Sequence, residues 1–211
     1  VNRVLEQWAE PVLRGLGSWV FPTALFRVPT SERTLYLTFD DGPTPGVTDA
    51  VLSLLERYGA KASFFWIGKN VTAHPEYLER IKTAGHRLGG HCMHHENGWK
   101  TDTAAYVQSA VASVDSVHSD LFRPPYGRIR PQQARQLAEQ GIGLVFWSRL
   151  SYDFDTRLSP EECFRRTTQG LKPGELIVFH DSLKAEARML PALEALLQKG
   201  EREGWQFAAL S

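Results

Sequence analysis

From residue 34 to its end, the chain alternates short apolar runs with longer segments whose apolar residues recur at three- and four-residue spacing. The short runs cover residues 35–39, 62–67, 86–90, 121–123, 144–147, 176–180 and 206–210. Their length and flanking turn residues predict strands, and the segments between them read as helices. The helical patterns span 48–58, 75–84, 102–117, 131–140, 160–169 and 185–199, with Gly59, Gly85, Gly141, Gly170 and Gly200 as stops. Strand-then-helix repetition of this kind implies an α/β fold with a largely parallel sheet. That sheet can be open and doubly wound or closed as a barrel. A dinucleotide fold needs G-x-G-x-x-G after its first strand, but Asp40-Asp41-Gly42-Pro43 stands there. A distorted (β/α)7 barrel fits better, and in such barrels the chemistry sits at the C-terminal strand ends.

At 211 residues, the chain is long enough for one domain with a full core. Its 24 basic and 24 acidic residues form no block of one sign, which argues against a nucleic-acid partner. Cys92 and Cys163 are too few for a disulfide framework and are read as free thiols. Residues 1–33 form a separate expectation. Val4, Leu5, Trp8, Val12, Leu16 and Trp19 share one helical face, with Pro11 bending it. Glu6, Glu10 and Arg14 interrupt any apolar run long enough for a signal core or a membrane span. A helical extension packed on the 34–211 domain is expected, with membrane association through this segment left open, a monomer as the assembly and the compartment undetermined.

The polar residues that matter fall at the predicted strand ends. The first strand ends in two adjacent carboxylates before a Gly-Pro turn, so Asp40 and Asp41 point to different sides and can do different work. The third runs into His91-Cys92-Met93-His94-His95. His91 and His95 share a face if that segment is helical, and His91 and His94 could as well; with Asp41 they make two imidazoles and a carboxylate, a set that leaves coordination positions open. The fourth strand ends in Arg123-Pro124-Pro125-Tyr126, where an Arg can hold a carboxylate ionised and the stiff loop can aim a backbone N–H near Tyr126 at an oxyanion. The fifth is followed by Asp153-Phe154-Asp155, and the sixth ends in His180-Asp181. A histidine emerging from an apolar strand suits a proton donor, with a carboxylate on its other nitrogen.

Together these segments resemble the polysaccharide deacetylases, the NodB-like carbohydrate esterase family 4, over residues 34–211. Residues 38–43 match the first motif throughout. His91 to His95 match the second, with Cys92 where Ser or Thr is usual. Residues 123–126 look like the third motif, Asp153-Phe154 replaces the Asp-Trp of the fourth, and Val178-Phe179-His180 looks like the fifth. The resemblance implies a metal-dependent amidase or esterase on a distorted seven-stranded barrel. It assigns Asp41, His91 and His95 to a divalent ion, zinc first, with cobalt, nickel or iron as alternatives. It makes Asp40 the general base, oriented by Arg123, and His180 the general acid, tuned by Asp153. The backbone amide at Tyr126 would help bind the oxyanion, and His94 falls on a variable position. The implied reaction removes acetyl groups from N-acetylated sugars of a chitin- or peptidoglycan-like glycan. An O-acetyl xylan esterase or a deacylase of small amides or lipid-linked sugars is the alternative; a non-catalytic glycan binder is disfavoured, because a binder needs no acid and base.

Overall fold

The computed structural model describes residues 20–211. Its centre is β1 (Thr34–Asp40), a strand buried on both faces as parallel strands in α/β folds are. Leu35, Leu37 and Phe39 alternate onto one face and are fully buried under helices. Helix α1 (Val47–Arg57) covers them with Val47, Val51 and Leu55, and stops where Gly59 takes a φ of +60°. Helix α7 (Glu186–Glu203), the last, adds Met189, Leu193, Leu196 and Leu197 to the same core.

The remaining elements in chain order are β2 (Ala62–Trp66), α2 (Gly68–Ala73), α3 (Glu76–Thr83), β3 (Arg87–Gly90), α4 (Thr103–Ser116), β4 (Leu121–Phe122), α5 (Pro131–Glu139), β5 (Gly143–Leu144), β6 (Arg149–Leu150), α6 (Pro160–Thr168), β7 (Leu176–His180) and β8 (Gln206–Phe207). The caps explain several starts: the Asp102 carboxylate accepts from the backbone N–H groups of Ala104 and Ala105 at α4, and Ser159 with Glu162 closes a capping box at α6. All strand pairs are parallel, in the order β5-β4-β3-β2-β1-β7-β6, with β8 beside the start of β1. The sheet curls into a half-barrel, the distorted α/β barrel expected from the sequence. Its register sets Asp40 opposite His180 on β7 and opposite Phe65 on β2.

Three details depart from the sequence reading. The apolar run at 144–147 is not one strand. Only Gly143–Leu144 joins the ladder, and a further strand follows at Arg149–Leu150. The reason is a competing partner: Phe146 stacks on Phe26 and Phe21, at 4.7 and 5.7 Å, and Leu25 pairs with Val145. Second, the short helix α2 carries too few apolar positions to show a period. Third, the 21–33 part of the expected helical extension is a run of turns and isolated bridges. Leu25 reaches Val145 and Arg27 reaches Glu175, so this stretch touches both sides of the seam between β5 and β6. The helical face at Val4–Trp19 lies outside the described residues. No helix among the described residues is long and apolar enough to cross a membrane.

Candidate active site

The polar groups gather at the C-terminal ends of the strands, around a cavity of about 510 Å³. Asp40 is the last residue of β1 and only 4% exposed. Arg123, following β4 and fully buried, donates from Nη1 to Asp40 Oδ1 at 2.7 Å and to Thr38 Oγ1 at 2.7 Å. Its remaining donors are used on the carbonyls of Val145 and Phe146, at 3.2 and 2.9 Å. Its guanidinium carbon lies 4.1 Å from the Phe65 ring centroid. Burial lowers the Arg123 pKa from its ordinary value against the pull of Asp40, and a guanidinium still stays charged. The pair orients the Asp40 carboxylate as an acceptor facing the cavity.

Asp41 leaves the strand with a φ of 83°, a conformation rare for a side-chain-bearing residue. This turn swings its carboxylate toward His91 and His95, whose Nε2 atoms lie 3.7 and 3.3 Å from Asp41 Oδ1. The ligand atoms of the three residues lie within 4.8 Å of one another. The histidines do not converge on a helix, as their spacing allowed. The segment after β3 is irregular, and positive φ at Cys92 and His95 (61° and 60°) folds it back so that the rings stand 5.0 Å apart. The Nδ1–H of His91 donates to the Arg123 carbonyl at 2.7 Å, and the His95 Nδ1 hydrogen-bonds the Tyr126 hydroxyl at 3.1 Å. Those bonds orient both rings and leave Nε2 as the inward nitrogen.

This donor set fits a divalent cation. Burial, reinforced by the neighbouring His95, pushes the His91 pKa down to about 3, so that ring is a neutral ligand at physiological pH. Asp41 Oδ1 is buried without a hydrogen-bond partner. A carboxylate oxygen left bare beside two lone pairs is costly unless a cation sits among them. His94 is exposed and stands apart from the set. Cys92 is a free, buried thiol that burial pushes up to about 12, so it stays protonated.

Across the cavity, His180 ends β7. Its Nδ1–H donates to Asp153 Oδ1 at 2.7 Å and its backbone N–H to Asp153 Oδ2 at 2.8 Å. Burial alone would depress the imidazolium, but the charge and hydrogen bond of fully buried Asp153, then Asp41 and Asp40, raise the pKa to about 9. Asp155, the rival partner by sequence, is committed to Arg157, whose guanidinium holds its carboxyl down near 2. Tyr126 follows the two prolines with a φ of 61° and lines the rim, while Trp147, Leu150, Phe154 and Val178 form an apolar wall.

One residue escaped the sequence reading. Asp181 is fully buried and accepts from Gly42 N–H (3.0 Å), Thr48 Oγ1 (2.7 Å) and Trp66 Nε1 (3.2 Å). It braces the turn that carries Asp41. Any Cβ at position 42 would collide with its carboxylate, which is why a glycine stands there. The signal available in the sequence was a carboxylate placed directly after an apolar strand and its terminal histidine.

The sequence pattern of the polysaccharide deacetylases matches residues 27–145. A peptidoglycan-N-acetylglucosamine deacetylase of Bacillus cereus is 28% identical over 203 residues, covering 88% of this chain and 90% of its own length. The peptidoglycan-N-acetylglucosamine deacetylase PgdA of Listeria monocytogenes is 29% identical over 85% of this chain, which spans only 38% of that longer protein. Among solved structures, a peptidoglycan N-acetylglucosamine deacetylase in complex with 4-naphthalen-1-yl-N-oxidanyl-benzamide superposes with a TM-score of 0.85, at 27% identity and covering 92% of this chain and 94% of that one. With the half-barrel, the strand-end constellation and a pattern match over more than half its length, the chain belongs to the polysaccharide deacetylase family.

Proposed function

We propose that this protein is a metal-dependent deacetylase that hydrolyses the N-acetyl group of glucosamine units in a peptidoglycan- or chitin-like glycan. The observation that carries this reading is the bare Asp41 Oδ1 facing two inward imidazole nitrogens, between an Asp40 paired with Arg123 and a protonated His180. Asp41, His91 and His95 would hold the ion; two imidazoles and a carboxylate suit zinc, and also cobalt, nickel or iron. When bound, a divalent ion lowers the pKa of a water and polarises a carbonyl.

The chain's own residues supply the rest. Asp40, held in place by Arg123, takes the proton of the attacking water. The backbone N–H of Tyr126 donates to the oxyanion that develops on the acetyl carbonyl oxygen. His180, kept charged by Asp153, gives its proton to the departing nitrogen as the C–N bond breaks, leaving acetate and a free amine. The wall of Trp147, Leu150, Phe154 and Val178 gives the acetyl methyl an apolar seat. No nucleophilic side chain is required.

The test is acetate release from peptidoglycan fragments, chito-oligosaccharides and acetylated xylan, before and after chelation and with zinc restored. Release from the N-acetylated glycans that chelator abolishes and zinc restores is the expected result. A rate indifferent to chelator overturns the metal role, and release from xylan alone moves the activity to ester hydrolysis.

A further inference from the structure

An aromatic strip leads out of the cavity along one side. Tyr126, 59% exposed, sits at the rim with its ring 4.5 Å from that of His95. Beyond it stands Trp99, 56% exposed. The Arg128 guanidinium lies over both rings, 5.8 Å from the Tyr126 centroid and 5.2 Å from that of Trp99. Arg128 has no carboxylate partner among the described residues, whereas Arg123, Arg149 and Arg157 each hold one.

A tryptophan left this open costs solvation free energy, so its fixed position invites an explanation. The two loops beneath it are tied together. The Gly98 N–H donates to the Arg128 carbonyl at 3.2 Å, Gln133 Nε2 to the Gly98 carbonyl at 2.9 Å, and Arg130 Nη2 to the Trp99 carbonyl at 2.6 Å. The Trp99 indole N–H itself donates to the Ile129 carbonyl at 3.4 Å. Position 98 must be glycine, since a Cβ there would strike the Arg128 carbonyl. These bonds fix the loop that carries the ring, and more than half of Trp99 stays exposed beside the guanidinium. This is a preorganised aromatic surface with a guanidinium over its rings that has no carboxylate partner among the described residues.

We propose that Trp99, Arg128 and Tyr126 bind a sugar flanking the unit whose acetamide enters the cavity, and that this flanking sugar carries a carboxylate. The proposal rests on the deacetylase reading for the direction of the chain, and it narrows the substrate. A sugar presents an apolar C–H face that stacks on an indole, and a guanidinium pairs a carboxylate bidentately. A glycan whose alternate sugars bear an acid places one here; a chitin-like glycan offers only the stacking face.

The experiment uses the full chain with Asp40→Asn, so that substrate is not consumed, and titrates in a calorimeter a peptidoglycan tetrasaccharide and the same oligosaccharide with its carboxyls reduced to alcohols. The acid form should bind about tenfold more tightly than the reduced form. Adding Trp99→Ala should weaken both about tenfold, with Trp99→Tyr restoring most of the loss. Adding Arg128→Gln should erase the preference for the acid form. Both side chains are exposed, and a thermal melt checks that each variant is folded. Equal affinity for the two oligosaccharides, or a Trp99→Ala variant that binds like its parent, overturns the strip. If this binding pattern holds but the unmutated chain releases no acetate from any glycan, the deacetylase reading falls and the strip stands. Acetate release with a flat binding pattern discards the strip and keeps the deacetylase.

Discussion

The loop after β3 and the end of β7 each bury a histidine at the same cavity, and the two rings end on opposite sides of neutrality. Burial is the largest influence on both and opposes the imidazolium in both. What differs is the atom that receives the Nδ1–H. His91 gives it to the uncharged Arg123 carbonyl, with His95 beside it, and its pKa falls to about 3. His180 gives it to the Asp153 carboxylate, with Asp41 and Asp40 further off, and its pKa rises to about 9. One ring is thereby suited to offering a lone pair and the other to offering a proton. The charge of the hydrogen-bond acceptor, with the charges grouped around each ring, separates the two.

The contrast breaks most completely if each ring is removed. His91→Ala should empty the metal site and, with it, the activity, whereas His180→Ala should keep the metal and lower kcat by about 10²–10⁴-fold. Metal content by elemental analysis, read beside acetate release, separates the two; equal metal loss in both variants would erase the distinction. Next in size is Asp153→Asn, which turns the acceptor of His180 into a neutral one and makes it resemble His91. The alkaline limb of the pH–rate profile, expected near pH 9, should move to lower pH, because burial is then opposed only by the more distant Asp41 and Asp40. The same substitution tests stability. The His180 pKa is raised on folding, so the dyad's contribution is complete below about pH 6.5 and is lost as pH climbs through about 9. The Tm difference between wild type and Asp153→Asn should therefore be largest in acid and shrink toward pH 9; a constant difference would falsify the linkage.

Smaller effects sharpen the ligand side. Tyr126→Phe removes the hydroxyl that steers His95 and should weaken metal binding about tenfold, measured by competition with a chelator. His94→Ala should change neither metal content nor rate, since that side chain stands apart from the set. A metal-depleted His94 variant would mean that the loop holds its ion in another register.

Two residues of the candidate site were legible in sequence because they close apolar runs: Asp40 after Leu35-Tyr36-Leu37-Thr38-Phe39, and His180 after Leu176-Ile177-Val178-Phe179. The way they meet was not. Helical spacing suggested a shared face for His91 and His95, whereas the pair converges through left-handed residues, which spacing cannot express. The single strand read at 144–147 failed because hydrophobicity does not say what a run packs against, and Phe146 packs against Phe21 and Phe26. Asp181 went unassigned because its donors come from Gly42, Thr48 and Trp66, all remote in sequence.

The pairing of Asp40 with His180 across β1 and β7 has a consequence for how such a site can change. Residues opposite each other in a parallel ladder project to the same face, about 4.8 Å apart along the hydrogen-bonding direction. The spacing between the backbone positions of Asp40 and His180 is therefore set by the sheet, independent of loop conformation. Only a register slip could alter it, and a slip of one residue would turn either group to the opposite face. Rim segments can be lengthened, exchanged or redecorated while Asp40 and His180 stay on their marks.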